Sequence, residues 1–304
     1  MPEPTPLALT VDPSGPFAGI GVLALEQVGK PVVVLDHDLI RRLDATLRSL
    51  PGSLNGLVLA SASERVFVAG ADLNAIQTLD DDQLQKYLAY ASSVFALISN
   101  LPFPTAAAIN GAALGGGLEL AMHCDALIGA PTPVRDGQPK PYPIGLPEAG
   151  LAICPGWGGT CLLPARMDPA AAITRTAQGK PLTSDEAIAA GLFDAVAPSA
   201  AELLSTAKTW VRTRAAAGRT QRDGAPLRHV GRPAFARAAI PALDAVRAEI
   251  STTEPGRVVA EAVNAGLAKG WQACLDVEQR ELVRLRHTPA AKDAITAFFA
   301  RAKK

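Results

Sequence analysis

The chain has 304 residues, enough for one large domain or two of ordinary size, and 48% hydrophobic residues can build a substantial core. Lys+Arg and Asp+Glu each number 29, so no charge imbalance points to nucleic acid or to an anionic membrane surface. Aromatic residues are 5% of the chain, too few to suggest a base-stacking platform.

Met1–Pro6 carries neither a basic n-region nor an apolar h-region, so no secretory signal is expected. No uninterrupted apolar stretch reaches about 18 residues, so no transmembrane helix is expected and the chain reads as cytoplasmic. Leu7–Val11 and Ile20–Leu25 read as short strands around the turn cluster Asp12–Pro16. Asp36–Leu50 places Leu39, Ile40, Leu43 and Leu47 at helical spacing, and Pro51-Gly52 ends it. Leu57–Ala60 is a short buried strand, and Val66–Val68 a second that runs into the small residues Ala69-Gly70-Ala71. Asp80, Asp81 and Asp82 mark a helix start, and Gln83–Leu101 continues it to Pro102 and Pro104. Tyr87 and Tyr90 on this helix read as packing residues.

Thr105–Ile109 is an apolar strand that leads into Asn110–Asp125, where Gly115, Gly116 and Gly117 precede a helix start at Leu118–Met122. Glycine suits a backbone that must lie close against a ligand. A helix start presents free N–H groups and a positive dipole end, which suit an oxyanion or a polarised carbonyl. Glu119 follows among apolar neighbours, where a carboxyl is held with a raised pKa useful for proton transfer. A tight turn followed by a helix-capping acid explains the same residues without chemistry. Glu148 is a second lone acid, in the Gly/Pro-punctuated segment Ile144–Thr160, and the two form a candidate acid/base pair.

Between them, Ala126–Ala130 reads as a strand, and the prolines from Pro131 to Pro147 mark an extended surface loop without regular structure. Pro169–Gln178 is a helix. Thr183 or Ser184 caps another with Glu186 in its first turn, closed by Gly191. Ala200–Ala217 is helical, and Gly218–Arg232 is the best linker candidate, its arginines either solvated or near a phosphate. Pro241–Ile250 (with Pro241 as first residue), Gly256–Gly270, Leu275–Arg286 and Pro289–Ala302 read as amphipathic helices. Cys124, Cys154, Cys161 and Cys274 show no disulfide framework and read as reduced, mostly buried thiols. His123 and Cys124 adjoin on a helix and point apart, so they are not expected to act as a metal or catalytic pair.

Alternating strands and helices give an α/β chain, without fixing its topology. Three stretches in order, Phe67–Leu73, Asn110-Gly111 with Leu114–Ala121, and Gly145–Glu148 with Pro155–Thr160, resemble the crotonase superfamily of enoyl-CoA hydratases and isomerases. The resemblance covers roughly Gly19–Pro198 well and the remainder loosely. It implies a crotonase-like core of ββα turns wound into a right-handed spiral over residues 1–200, and a helical C-terminal region over 201–304. That region resembles the segment after the hydratase part of the multifunctional fatty-acid oxidation α-subunit. No Gly-x-Gly-x-x-Gly fingerprint follows, so no NAD chemistry is expected.

The activity implied is hydration of an enoyl-CoA thioester in fatty-acid β-oxidation. The N–H groups of Ala71 and Gly116 would form the oxyanion hole, Glu148 would supply the Cα proton and Glu119 would take the proton of water. Ala69, Gly70, Ala71, Asp72, Leu73 and Asn74, with Gly116, would bind the substrate. No metal or redox cofactor is implied, and the family's trimers or dimers of trimers imply a homo-oligomer. The gap between Glu119 and Glu148 is wider than the family usually shows and fits an insertion within about Pro131–Tyr142. That insertion is either a tolerated loop or a pocket wall that displaces Glu148. The alternatives are a Δ3-Δ2-enoyl-CoA isomerase and a non-catalytic binding or assembly subunit on the same fold.

Overall fold

A computed structural model describes residues 4–27, 29–30, 32–217 and 233–302. The linker candidate Gly218–Arg232 lies outside the described residues. The chain begins with β1 (Leu9–Val11), β2 (Ile20–Leu25), α1 (His37–Arg48), β3 (Gly56–Ser61), β4 (Val66–Val68), α2 (Leu73–Thr78) and α3 (Asp81–Asn100). It continues through β5 (Thr105–Ile109), β6 (Ala112–Leu114), α4 (Gly116–Met122) and β7 (Ala126–Gly129), then β8 (Val134–Arg135), β9 (Gln138–Pro139) and β10 (Pro143–Gly145). After α5 (Gly159–Leu162), α6 (Pro169–Gln178), β11 (Leu182–Thr183), α7 (Ser184–Ala189) and β12 (Ala195–Val196), it ends in helices: α8 (Leu203–Ala216), α9 (Pro233–Ile250), α10 (Glu254–Lys269), α11 (Trp271–Leu285) and α12 (Pro289–Ala302).

The strands fall into two main sheets, ordered β1-β2-β3-β5-β7-β12 and β11-β10-β6-β4. β2, β3, β5, β7 and β12 are parallel, with β1 antiparallel at one edge. β3, β5 and β7 each lie in the first sheet, and β4, β6 and β10 follow in the second, so successive turns repeat a two-strand unit. Helices α3 and α4 close the first two turns, which is the ββα repeat expected of the sequence.

Alternation along the strands buries both faces of the large sheet. Leu57, Leu59, Ala107 and Leu127 enter the main core with α1 and α3, while Val58, Ala106, Ala108 and Ile128 pack with Leu203, Ala207 and Val211 of α8. Parallel strands covered on both sides read as continuous apolar runs, and Thr-Ala-Ala-Ala-Ile of β5 is one. The sheet thus draws on chain beyond residue 200.

Local signals set the helix starts. Asp36 caps α1, Asp80 and Gln83 form a capping box on α3, and Thr183 with Glu186 forms one on α7. Tyr87 and Tyr90 pack and donate hydrogen bonds, to Leu35 O (2.5 Å) and Asp44 Oδ2 (2.9 Å).

Four readings are corrected. The helix expected at Leu118 starts at Gly116, two residues after the end of β6, a strand hidden by its brevity. The proline-rich segment is not wholly irregular: β8 and β9 form an exposed antiparallel hairpin about Asp136-Gly137, both at positive φ as such turns require. Pro241 lies inside α9 and does not start it. The lost hydrogen bond there is offset by packing of Leu243 and Ile250 against Ile173, Val259 and Val263. Cys161 and Cys274, 113 residues apart, are joined as a disulfide between α5 and α11, whereas Cys124 and Cys154 are free and buried.

Candidate active site

A cavity of about 470 Å³ opens where the turns of the spiral meet the C-terminal helices. Ala69, Gly70, Ala71, Asp72, Leu73 and Asn74 form one wall, Gly115, Gly116 and Glu119 a second, and Glu148 a third. The residues expected to act in catalysis, the oxyanion hole and substrate binding therefore all line one cavity. Leu88, Leu282, Phe298 and Phe299 supply an apolar side, and the last two come from α12, which lies against the Glu148–Leu151 turn. The β8–β9 hairpin forms none of the cavity lining, whereas Glu148 is part of it.

The segment around Ala71 meets Leu35 in a parallel bridge. Leu35 N–H donates to Gly70 O, and Asp72 N–H donates to Leu35 O, so the bridge brackets Ala71 and does not use its N–H. Gly116 is the first residue of α4, where helical N–H groups have no acceptor within the helix. Gly115 sits at φ 52°, and a Cβ on it would come within 2.4 Å of Glu148 Oε1. The glycines thus let the backbone lie directly beneath one carboxylate.

Glu119 is buried on the first turn of α4, and its Oε1 accepts hydrogen bonds from the Trp157 and Gly159 N–H groups, both at 2.8 Å. Burial pushes the Glu119 carboxyl well above the usual range, the negative charges of Glu278 and Glu148 add to the rise, and the two N–H donors oppose it. Glu148 is half-buried, yet its Oε2 is sealed from solvent and has no hydrogen-bond partner. Burial pushes its carboxyl up to about 8, opposed by its own N–H and reinforced by Glu278.

Three features of the site escape the sequence reading. Lys30 reaches the cavity wall, its Nζ 2.7 Å from Asp36 Oδ2. Phe298 and Phe299 close the cavity from the end of the chain. Glu278, on α11, is fully buried behind the Trp157–Thr160 turn, and burial pushes its carboxyl up to about 7. Its spacing of four from both Cys274 and Leu282 puts it on the apolar stripe of α11, the one signal that could have found it. His123 is a core residue: its Nδ1 lies 2.9 Å from Glu119 O, its ring packs edgewise on Phe95 and Trp271, and burial holds it down at about 4.

A family model described as enoyl-CoA hydratase/isomerase matches residues 19–223. The chain belongs to the enoyl-CoA hydratase/isomerase family. Solved structures of similar fold include an enoyl-CoA hydratase from Bacillus anthracis, 24% identical, with 96% of each chain covered and a TM-score of 0.57. The human mitochondrial delta3-delta2-enoyl-CoA isomerase is 21% identical over 97% of this chain and 98% of its own, with a TM-score of 0.67. An enoyl-CoA hydratase from Bacillus halodurans is 20% identical over 96% and 99%, with a TM-score of 0.65. Hydratase and isomerase thus share this crotonase fold. Among the described residues, no helix of this family member is long and apolar enough to cross a membrane.

The raised carboxyls carry a consequence for stability. Glu148 and Glu278 keep protons in the folded chain, at about 8 and about 7, that the unfolded chain releases near its ordinary value. Their contribution is fully present below the unfolded value and is lost as pH rises through the folded ones. His123 acts oppositely, but only below its unfolded value near 6.5. The melting temperature is therefore expected to fall between about pH 6.5 and pH 8.5, read by calorimetry. A melting temperature that is flat or rising over that window contradicts these environments.

Proposed function

We propose that this family member is an enoyl-CoA hydratase that adds water across the 2,3 double bond of an acyl-CoA thioester. The observation that supports the reading is the meeting of two buried carboxyls, Glu119 and Glu148, with the Ala71 and Gly116 backbone at one apolar-sided cavity. The thioester oxygen accepts from the two N–H groups, which stabilise the enolate as the water oxygen bonds to Cβ and the π electrons shift toward the carbonyl. One such donor is worth about 3–4 kcal/mol. Glu119, whose Oε1 accepts from two N–H donors that favour its anion, takes the proton of water. Glu148, whose Oε2 has no donor to favour the anion, carries the proton delivered to Cα. The thioester itself acidifies Cα, so the reaction calls for no redox group or metal.

The second reading is a Δ3-Δ2-enoyl-CoA isomerase, favoured by the unpartnered Glu148 Oε2, which could shuttle one proton alone. Two substrates separate the readings. Crotonyl-CoA should lose its conjugated-thioester absorbance to yield 3-hydroxybutyryl-CoA. A 3-enoyl-CoA that gains this absorbance while crotonyl-CoA stays unchanged makes the protein an isomerase. No turnover of either and no saturable acyl-CoA binding leaves a structural subunit.

A further inference from the structure

The Trp157–Thr160 turn offers four successive N–H groups, and two carboxylates divide them. Glu119 Oε1 takes Trp157 and Gly159 from the cavity side. Glu278 takes the alternate pair from behind: Gly158 N–H donates to its Oε2 at 2.6 Å, and Thr160 N–H to its Oε1 at 2.9 Å. The Thr160 hydroxyl also donates to Glu278 Oε1, at 2.5 Å. Successive N–H groups arranged in this way form a concavity suited to an anion, and here a carboxyl group sits on each side.

The rest of α11 grips the same strip of chain. Cys154 Sγ contacts Glu278 O at 3.4 Å, Gln279 Nε2 donates to Gly156 O at 3.3 Å, and Cys274 is joined to Cys161. These three contacts bear on residues 154–161, the strip that carries both donors to Glu119. Glu278 does not line the cavity and has no cationic partner among the described residues. An apolar residue would fill that site of α11 without the cost of burying a charge.

We propose that Glu278 is a positioning residue for Glu119: through the Trp157–Thr160 turn it fixes the two N–H groups that orient the Glu119 carboxylate, and its charge sets how readily Glu119 takes a proton. The proposal rests on the hydratase reading only for the rate it predicts. The ionisable groups facing Glu278 are Glu119 from α4, Glu148 from the 3-10 turn and Cys154 from the strip itself. On α11, Glu281 is engaged by Arg280 and Arg284. When ionised, Glu278 is a like charge beside Glu119, and it then raises the proton affinity of the group it orients.

The test compares full-length wild type, Glu278→Gln and Thr160→Val by carboxyl carbon NMR titration of Glu119, together with hydration rates of crotonyl-CoA across pH. In Glu278→Gln the Glu119 titration should move to lower pH by about one unit, because a like charge is gone. The acid limb of kcat/KM should follow it, and kcat should fall about 10-fold or more with KM changed less than about 3-fold, since an orientation made for the transition state is loosened. Thr160→Val keeps the Glu278 carboxyl but removes one donor. Glu278 then holds its own proton more strongly, and Glu119 should shift in the same direction by less, which decides the matter if Glu278→Gln does not fold. A Glu119 titration unchanged within about 0.2 in the folded variants overturns the proposal. Absence of hydration by wild type overturns the hydratase reading, and the NMR titration still decides the coupling.

Discussion

Glu148→Gln is expected to lower kcat for crotonyl-CoA hydration by about 10²–10⁴-fold, the usual worth of a positioned acid or base, with KM changed only a few-fold. The amide has the shape of the carboxyl but no proton to give to Cα. Glu148 Oε2 has no hydrogen-bond partner, so the exchange breaks no contact there, and because it removes a carboxyl raised to about 8 the melting temperature near neutral pH should be no lower than wild type. Glu119→Gln should act as strongly, since its amide oxygen can still accept from the Trp157 and Gly159 N–H groups while no base remains for water. The double variant should be little worse than either single one, because the two groups serve one step. If Glu119→Gln keeps near-wild-type hydration while Glu148→Gln loses it, a single carboxyl suffices and the two-carboxylate account fails.

Trp157→Ala is the substitution expected to cost the fold most. The ring is 2% exposed and its Nε1–H donates to Leu88 O at 3.1 Å. Its edge-to-face contacts with Tyr87 and Phe95 have centroids 5.7 and 5.4 Å apart. It also fills the space over α4: a Cβ on Gly116 would lie 2.2 Å from Trp157 Cζ3. Removing a buried Trp costs about 3–5 kcal/mol, and urea unfolding should show that loss. Activity should fall as well, because the Trp157 backbone is one of two donors holding Glu119. A loss under about 1 kcal/mol would mean that the ring is not the keystone of this packing.

The parts of this arrangement that were legible in sequence are those with local physics. β5 reads as a strand because both faces of its sheet are covered, and Asp80 and Thr183 announce helices because each cap satisfies a donor nearby. Glu119 and Glu148 stood out as lone acids in apolar, glycine-broken segments, and the structure brings both to one cavity. What stayed hidden depends on distant chain. Glu278 shares α11 with Glu281, Arg280 and Arg284, so by composition it passes for part of a solvated face, and its burial follows from a turn more than a hundred residues earlier. Cys161 and Cys274 are far apart in sequence and carry no spacing signal. β6, with three residues, has no period to read. α9 runs through Pro241 because tertiary packing overrides a local breaker.

The most direct measurement is the mass of the product formed from crotonyl-CoA by the wild-type protein in ¹⁸O-labelled water. The two-carboxylate account predicts 3-hydroxybutyryl-CoA with one ¹⁸O at C3, at a rate that collapses in both glutamine variants. Crotonyl-CoA recovered without label, or label taken up equally by wild type and Glu148→Gln, would contradict it.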